Sequence, residues 1–531
     1  PHPSPRADAP LLLARAERYD LCVVGAGAVG CALARDVAAC GYTVLLLEQA
    51  AEVGGVWSLN KYPGLRLHSP GASYRALSLA PEWQADDRRA AQLDRQTYRP
   101  FQEEILAYVQ SLAVHPNITV RTSTTFCFAE REGGKEARHR VVCDSLVASA
   151  RAIAHCRGTY EVTAGKAFSP FDVSAVTNGA KVVHSSQLSA HKAEFDGAAH
   201  RYLIGASKAA IDVLGTLTPS DETLRTMTWA HRGHIIFTNR DNIIRDMVAV
   251  AEAKEKHTPS EMRQALAAAR EGAINGTNTA NQLLRKQQFE GYCKMYLSSG
   301  RGVVVGEPVS KQGIAQRGGI EAEAVIEHCR KFLPCQKLLK SIRVADGALQ
   351  LAHEGGGVTV PGPGDVVVLC TGQRAEGFGP GYHRSCAQHN RDGIFKPFAV
   401  SGTALCVSAY WTSMVVSYLD GTPSAYSDGS FAAAAEKVAE HMENLRDSSP
   451  WACFMTYLSS NQLDVAPLVF PWAAVGAGDL ASSPRWLDWY GRHLDVRAAC
   501  KLLSQRTFVE ADDSGATQQP TGRTSAPSGL K

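Results

Sequence analysis

Residues 20–57 constrain this chain more than any other stretch. A short apolar run, Asp20 to Val24 (DLCVV), leads into Gly25, Gly27 and Gly30 at G-x-G-x-x-G spacing. A small-residue segment, CALARDVAACG, follows, then TVLLL, and then Glu48. Strand, glycine turn, helix, strand and acid in that order predict the opening βαβ unit of a dinucleotide-binding fold. The first glycine makes the tight turn, and the second leaves no Cβ where a pyrophosphate must approach. The third lets the helix pack closely on its strand. Helix N-terminal amides then face the phosphates, and Glu48 is placed to accept the ribose hydroxyls. A bare G-x-G-x-x-G is a common glycine-rich turn; the elements in register around it make this one specific.

A second turn of the same kind is written at Arg201 to Asp212, RYLIGASKAAID. A short apolar strand runs into Gly205 and Ser207, and a helix is expected to begin near Lys208. Ser207 and Ala210 take the second and third glycine positions, and both are small enough for close backbone approach. An ordinary strand-to-helix turn is the competing reading. The next strand, Thr226 to Ala230 (TMTWA), shifts the balance because it ends in His231-Arg232. An arginine there suits a 2′-phosphate, where an NAD site would carry an acid, and Lys208 adds a second positive charge. The coenzyme expected at this turn is NADPH. A third apolar strand, Asp365 to Gly372 (DVVVLCTG), runs into Thr371-Gly372.

At 531 residues the chain exceeds one ordinary core, so two or three domains are expected. The predicted class is α/β, with two Rossmann-like dinucleotide-binding domains. A net charge of +3 gives no basic face for nucleic acid, and the 432–445 window mixes both signs as a solvated helical face does. No run reaches the roughly 18 apolar residues of a membrane span. The 14 cysteines are scattered without a C-x-x-C, so no metal site is expected. Buried free thiols fit a reducing, cytoplasmic compartment. The Arg-containing, acid-poor stretch 1–18 reads as a disordered leader, and an organelle is the alternative if it is a targeting remnant. The polar stretch 511–531 reads as a disordered tail. Between the turns, Phe101, Ile105, Tyr108, Val109 and Leu112 follow helical spacing and mark a core face. Ile118 to Arg121 and Val141 to Val147 read as strands. Residues 240–300 read as a helical insertion covering the substrate.

The continuation after Glu48, EQAAEVGGVW, carries Gly54, Gly55 and Trp57. With KYPGLRLHSP (Lys61 to Pro70), it resembles the flavin-containing monooxygenases, within the group that also holds Baeyer–Villiger and N-hydroxylating enzymes. The resemblance implies FAD at the first turn, with the Gly-Gly-x-Trp segment beside adenosine and pyrophosphate. It also implies NADPH at the second turn, and a return to the FAD at Thr371-Gly372, which is similar to that group's Ala-Thr-Gly turn. The implied domains are 19–190 for FAD, 191–345 for NADPH, and 346–510 for the returning FAD part. The group's F-x-G-x-x-x-H-x-x-x-[FYW] fingerprint is reduced in KVVHSSQ to His184 with Ser185, since Asn178, Ala180 and Leu188 hold the other marked positions. Baeyer–Villiger oxidation is the assignment that this departure weakens most.

Chemistry in such proteins belongs to the cofactor: NADPH reduces FAD, and dioxygen then forms a flavin C4a-hydroperoxide that oxygenates a small substrate. The resemblance places His68, with Ser69 beside it, where the group carries its flavin-facing polar residue. A loop histidine bound to a backbone carbonyl is the other reading of His68. Three functions follow: an NADPH- and O2-dependent monooxygenase acting on nitrogen, sulfur or carbon; a Baeyer–Villiger enzyme; or a flavoprotein retained as a structural or assembly subunit.

Overall fold

The computed structural model describes residues 17–67, 76, 78–79, 100–133, 137–157, 171–231, 235–239, 302–305, 315–320, 330–371, 393–395, 411–412, 415–416 and 418–421. Its first sheet is built from β1 (Glu17–Val24), β2 (Val44–Leu47), β3 (Ile118–Arg121), β4 (Phe126–Glu132), β5 (Arg138–Cys143) and β6 (Val147–His155). The order across it is β3-β2-β1-β6-β5-β4. The β3, β2, β1 and β6 neighbours pair in parallel, while β4, β5 and β6 form antiparallel hairpins. All four residues of β2 (VLLL) are buried, as expected of a parallel strand covered on both faces.

Helix α1 (Ala28–Ala39) joins β1 to β2, and a short α2 (Val56–Leu59) precedes α3 (Gln102–Leu112). Alanines and Cys31 let α1 lie close on the sheet, while Leu33 and Val37 share one apolar cluster with Ile105, Val109 and Leu112 of α3. The spacing-based core face of α3 is therefore correct, with Phe101 standing just before the helix as its N-cap. The strand expected over 141–147 is instead a hairpin. Residues 144–146 turn between β5 and β6, and the Cys143 N–H donates to the Leu146 carbonyl at 2.8 Å.

The second sheet contains β7 (Lys181–His184), β8 (Arg201–Ile204) and β9 (Met227–His231). A separate three-stranded sheet follows: β10 (Ile235–Asn239), β11 (Gly302–Val305) and β12 (Ala315–Ile320). The chain then supplies β13 (Gln336–Ala345), β14 (Ala348–His353), β15 (Val358–Thr359) and β16 (Val366–Leu369), which complete the second sheet in the order β15-β14-β13-β9-β8-β16-β7. Helices α4 (Lys192–Asp196), α5 (Lys208–Thr216) and α6 (Asp221–Arg225) accompany it. A two-residue β17 (Ile394–Phe395) pairs in parallel with β6 of the first sheet.

Two expectations need correction. The second sheet already includes β7, ten residues before the expected boundary at 191, and it keeps β14, β15 and β16 beyond 345. β16 is also not a return to the first sheet: Val366–Leu369 pairs with Arg201–Ile204 on one side and Lys181–His184 on the other. A buried VVVL strand fits either sheet, and pairing decides which. Among the described residues, the chain rejoins the first sheet at β17. The stretches 1–16, 240–300 and 511–531 lie outside the described residues.

Trp229 anchors the second core. It is fully buried in β9, and its indole Nε1 donates to the carbonyl oxygen of Gly205 at 3.0 Å. Trp229→Ala should lower the unfolding free energy by about 3–5 kcal/mol in a denaturant titration. Trp229→Phe should lose less, since it keeps most of the volume and gives up one hydrogen bond.

Candidate functional site

The two glycine turns lie at the carboxyl ends of parallel strands, where the sheet order reverses: between β1 and β6, and between β8 and β16. Ligands of open α/β sheets bind in such crevices. The turns repeat bond for bond. The Gly25 N–H donates to the Leu47 carbonyl (2.8 Å), and the Cys156 N–H donates to that of Val24 (2.8 Å). In the second turn the Gly205 N–H donates to the Ala230 carbonyl (2.7 Å), and the Cys370 N–H to that of Ile204 (2.7 Å). Gly25 has φ +104° and Gly205 φ +105°, a region that L side chains rarely enter. A Cβ on either would stand 2.7 Å from the carbonyl oxygen of Cys156 or Cys370. Both cysteines are buried, and burial pushes their thiols well above the usual range.

The remaining glycines divide by role. A Cβ on Gly30 would lie 1.9 Å from the Gly25 carbonyl oxygen, so this glycine is required by helix packing. Ala210 takes the corresponding place in the second turn and is buried there, so α5 leaves room for a methyl that α1 does not. Gly27 is different. It caps α1 at φ −77°, which any residue adopts, and a Cβ there would meet only the Gly55 Cα, at 3.8 Å. Gly55 faces it at φ +58°, where a Cβ would press to 2.8 Å from the Gly27 Cα. No side chain caps α1, and the first amides of a helix lack intrahelical acceptors. A pyrophosphate fits this glycine-lined helix start. Trp57 sits on α2, packed against the first core, and Gln102 donates to its carbonyl oxygen.

Glu48 is buried, and both its oxygens take backbone amides: Oε2 from Ala26 (2.8 Å) and Oε1 from Ala50 (2.9 Å). The acid expected to meet a ribose thus also fastens the glycine turn to the end of β2. Each carboxylate oxygen keeps a second lone pair for a ribose hydroxyl.

At the second turn Ser207 caps α5 without bonding its amides, and its Oγ is buried with no hydrogen-bond partner among the described residues. The corresponding helix start is again unsatisfied and accepts a phosphate oxygen readily. The Lys208 ammonium, expected to add charge beside position 232, is bonded instead to both carboxylate oxygens of Asp212, one turn along α5. Both side chains are less than a tenth exposed. Burial raises the Asp212 carboxyl to about 6, even though Lys208 and Arg66 pull it down. Tyr62, on the segment after α2, directs its hydroxyl at Asp212 Oδ2 over 3.4 Å. Desolvation and the Asp212 charge hold the Tyr62 hydroxyl well above the usual tyrosine range.

Thr371 follows β16 after Cys370, and its backbone nitrogen is 3.3 Å from where a Gly205 Cβ would stand, so it lies at the second turn. His68, Ser69, Arg232 and Gly372 lie outside the described residues. His184 is buried at the end of β7, where its Nδ1 accepts from the Ser186 N–H (3.1 Å) and lies 2.8 Å from the Ser186 Oγ. Sequence reasoning missed Asp212 and Tyr62; the i,i+4 spacing of Lys208 and Asp212 was the available signal. Among the described residues, no helix is long and apolar enough to cross a membrane, and no cluster of His, Cys, Asp and Glu is set for a metal.

Glu48→Gln should test the double fastening. An amide group keeps one acceptor and turns a donor toward the other backbone N–H, so a loss of about 1–3 kcal/mol is expected in unfolding free energy. A midpoint equal to wild type would show that the two amides do not depend on Glu48.

The family model of the NAD(P)-binding Rossmann-like domain matches residues 23–85. Two curated relatives share part of the chain. The 2-oxo-Δ3-4,5,5-trimethylcyclopentenylacetyl-CoA monooxygenase of Pseudomonas putida is 34% identical over 88 residues, 16% of this chain and 16% of that protein. The FAD-binding monooxygenase VdtE of Byssochlamys spectabilis is 38% identical over 73 residues, 13% of each. The chain thus aligns with less than a fifth of either relative. Among solved structures, a flavin-containing monooxygenase from Stenotrophomonas maltophilia aligns at 17% identity and a TM-score of 0.43, covering 76% of this chain and 99% of that one. Cyclohexanone monooxygenase from Rhodococcus sp. Phi1, bound to NADP+, aligns at 15% identity and a TM-score of 0.46, covering 90% and 98%. Residues 23–85 thus match the NAD(P)-binding Rossmann-like domain, and short stretches of the chain are similar in sequence to parts of known monooxygenases.

Proposed function

We propose that this chain is an NADPH-dependent FAD monooxygenase acting on a small substrate with dioxygen. The observation that carries this reading is Gly27. Neither its backbone angle nor any neighbouring atom of the described residues demands a glycine there, yet it stands at a helix start where a pyrophosphate would approach. The Gly54-Gly55 segment supports FAD in particular, because it closes the same turn from outside: the Gly54 N–H donates to the Ala26 carbonyl at 2.9 Å. The second turn repeats the first and supports a second dinucleotide. Arg232, at the end of β9 in sequence, is the candidate for a 2′-phosphate.

Bound flavin, reduced by the nicotinamide, would supply the activation of dioxygen. The protein's own part is to hold, orient and exclude water. Gly25, Gly27, Gly30, Glu48, Gly55 and Trp57 form the proposed flavin-nucleotide site. Gly205, Ser207, Lys208 and Thr371, with Arg232 and Gly372, form the coenzyme site. His68 and Ser69 continue the segment that carries Tyr62 and are proposed to face the flavin ring. The substrate is proposed only as a small nucleophile centred on nitrogen, sulfur or carbon.

Two measurements test the reading. Purified protein should be yellow and consume NADPH with dioxygen. Gly27→Ala should lose most of its flavin while matching flavin-stripped wild type in denaturant midpoint, since a methyl clears Gly55 but occupies the phosphate approach. Full flavin retention by that variant would sink the assignment of the first turn.

Arg232→Ala should weaken NADPH binding by about 1.5–3 kcal/mol, on the order of ten- to a hundredfold, and leave NADH nearly unchanged. Equal losses for the two coenzymes, read by calorimetry, would return Arg232 to a structural role.

A further inference from the structure

The segment Lys61–Leu67 belongs in sequence to the first fold, yet it is fastened to the second. The Lys61 N–H donates to the Ser186 carbonyl (2.9 Å), and the Lys61 carbonyl accepts from the Ser189 N–H (3.0 Å). Gly64 runs so close to α5 that a Cβ on it would stand 2.8 Å from Thr216 Cγ2 and 3.1 Å from the Asp212 carbonyl oxygen. At its other end the segment is tied to the first fold: the Leu67 N–H donates to the Pro100 carbonyl (3.0 Å), and the Gln102 N–H to that of Leu65 (3.0 Å). Arg66 lies over the Phe101 ring, 4.5 Å from its centroid. The segment therefore bridges the two nucleotide-binding folds.

One buried carboxylate joins this bridge to the second turn. Asp212 is shared between Lys208, the first residue of α5, and Tyr62 on the bridge. The Arg66 charge also acts on it. Cys370, which directly follows β16, is a further titratable neighbour among the described residues. The Tyr62 contact is slack, at 3.4 Å against the 2.5–3.0 Å usual for hydroxyl donors. Lys208 directly follows Ser207, whose buried Oγ has no partner among the described residues.

We propose that Lys208 and Asp212 couple an anion at the second turn to the seating of the segment Lys61–Leu67. This rests on the reading of that turn as the coenzyme site. A coenzyme phosphate at the helix start competes with Asp212 for the Lys208 ammonium, which carries three donors on a flexible stem. As Lys208 turns to the phosphate, the demand of the buried Asp212 charge falls on Tyr62 and Arg66, both on the bridge. The slack hydroxyl contact then closes, and the bridge is held more tightly against α5. Coenzyme binding would thus set the segment that leads directly to His68 and Ser69. Lys208, Asp212 and Tyr62 are positioning residues in this scheme, since they act through the bridge.

The test uses the flavin-loaded full chain with NADP+ as the probe, combining calorimetry with hydrogen exchange on the peptide spanning 61–67. In wild type, NADP+ should slow exchange in that peptide. Asp212→Asn frees Lys208 from its competitor, so it should bind NADP+ about three- to tenfold more tightly while the exchange response disappears. Tyr62→Phe should keep the wild-type affinity within about twofold and lose most of the response. A purely structural role for Asp212 predicts the opposite sign, weaker NADP+ binding in the asparagine variant, and that result would overturn the proposal. NADP+ binding to wild type without any change in 61–67 also overturns it while leaving the coenzyme reading intact. No NADP+ binding by flavin-loaded wild type overturns both.

Discussion

The carbonyl oxygen of the residue that follows a central strand governs both halves of this molecule. In the first fold it belongs to Cys156 and in the second to Cys370, and each approaches a glycine to the point where no Cβ fits. That contact sets the left-handed turn at Gly25 and Gly205 and so fixes where α1 and α5 begin. Helix starts held at this point of a parallel sheet place their unsatisfied amides over the crevice. Everything proposed about dinucleotides follows from that placement. The cysteine side chains take no part in the contact; their burial keeps them as neutral thiols in the core.

The two turns share this frame and differ in their chemistry. The first has glycine at all three marked positions, and the charge beside it, Glu48, is held by two backbone amides. Such a turn offers shape and helix amides to a phosphate and little else. The second replaces two glycines with Ser207 and Ala210 and adds a buried Lys208–Asp212 pair. A buried pair costs desolvation that its attraction offsets only partly, and the raised Asp212 carboxyl reflects that cost. An arrangement of this kind contributes little to stability. The segment from Lys61 to Leu67 meets α5 beyond this turn, at Asp212 and Thr216, while its other end is bonded to the first fold.

The local patterns were legible from residue spacing. Gly25, Gly27 and Gly30, the helix carrying Ile105, Val109 and Leu112, and the strand at 118–121 all stand where periodicity placed them. Glu48 lies at the expected strand end, but its bonds to Ala26 and Ala50 depend on how the turn folds back, which spacing does not encode. The hairpin at 143–147 was read as one strand because apolar residues flank Asp144-Ser145 closely on both sides, and two polar residues do not by themselves mark a reversal of direction.

What the sequence by itself determined is the two strand-turn-helix units, the helix at 102–112, the strands at 118–121 and 366–369, and the two points where a backbone must pass without a Cβ. Tertiary structure alone decided the partners. VVVL at 366–369 is a buried strand on any reading, yet it joined the second sheet between β7 and β8, and not the first. Lys208 reads as a free charge on a helix start until Asp212, buried beside it, takes both oxygens' worth of its hydrogen bonds. The reason is the same in both cases. Turn sterics and helical periodicity act between residues a few positions apart, so spacing records them. Strand pairing and the pull of a buried charge act between residues that meet only when distant parts of the chain pack together.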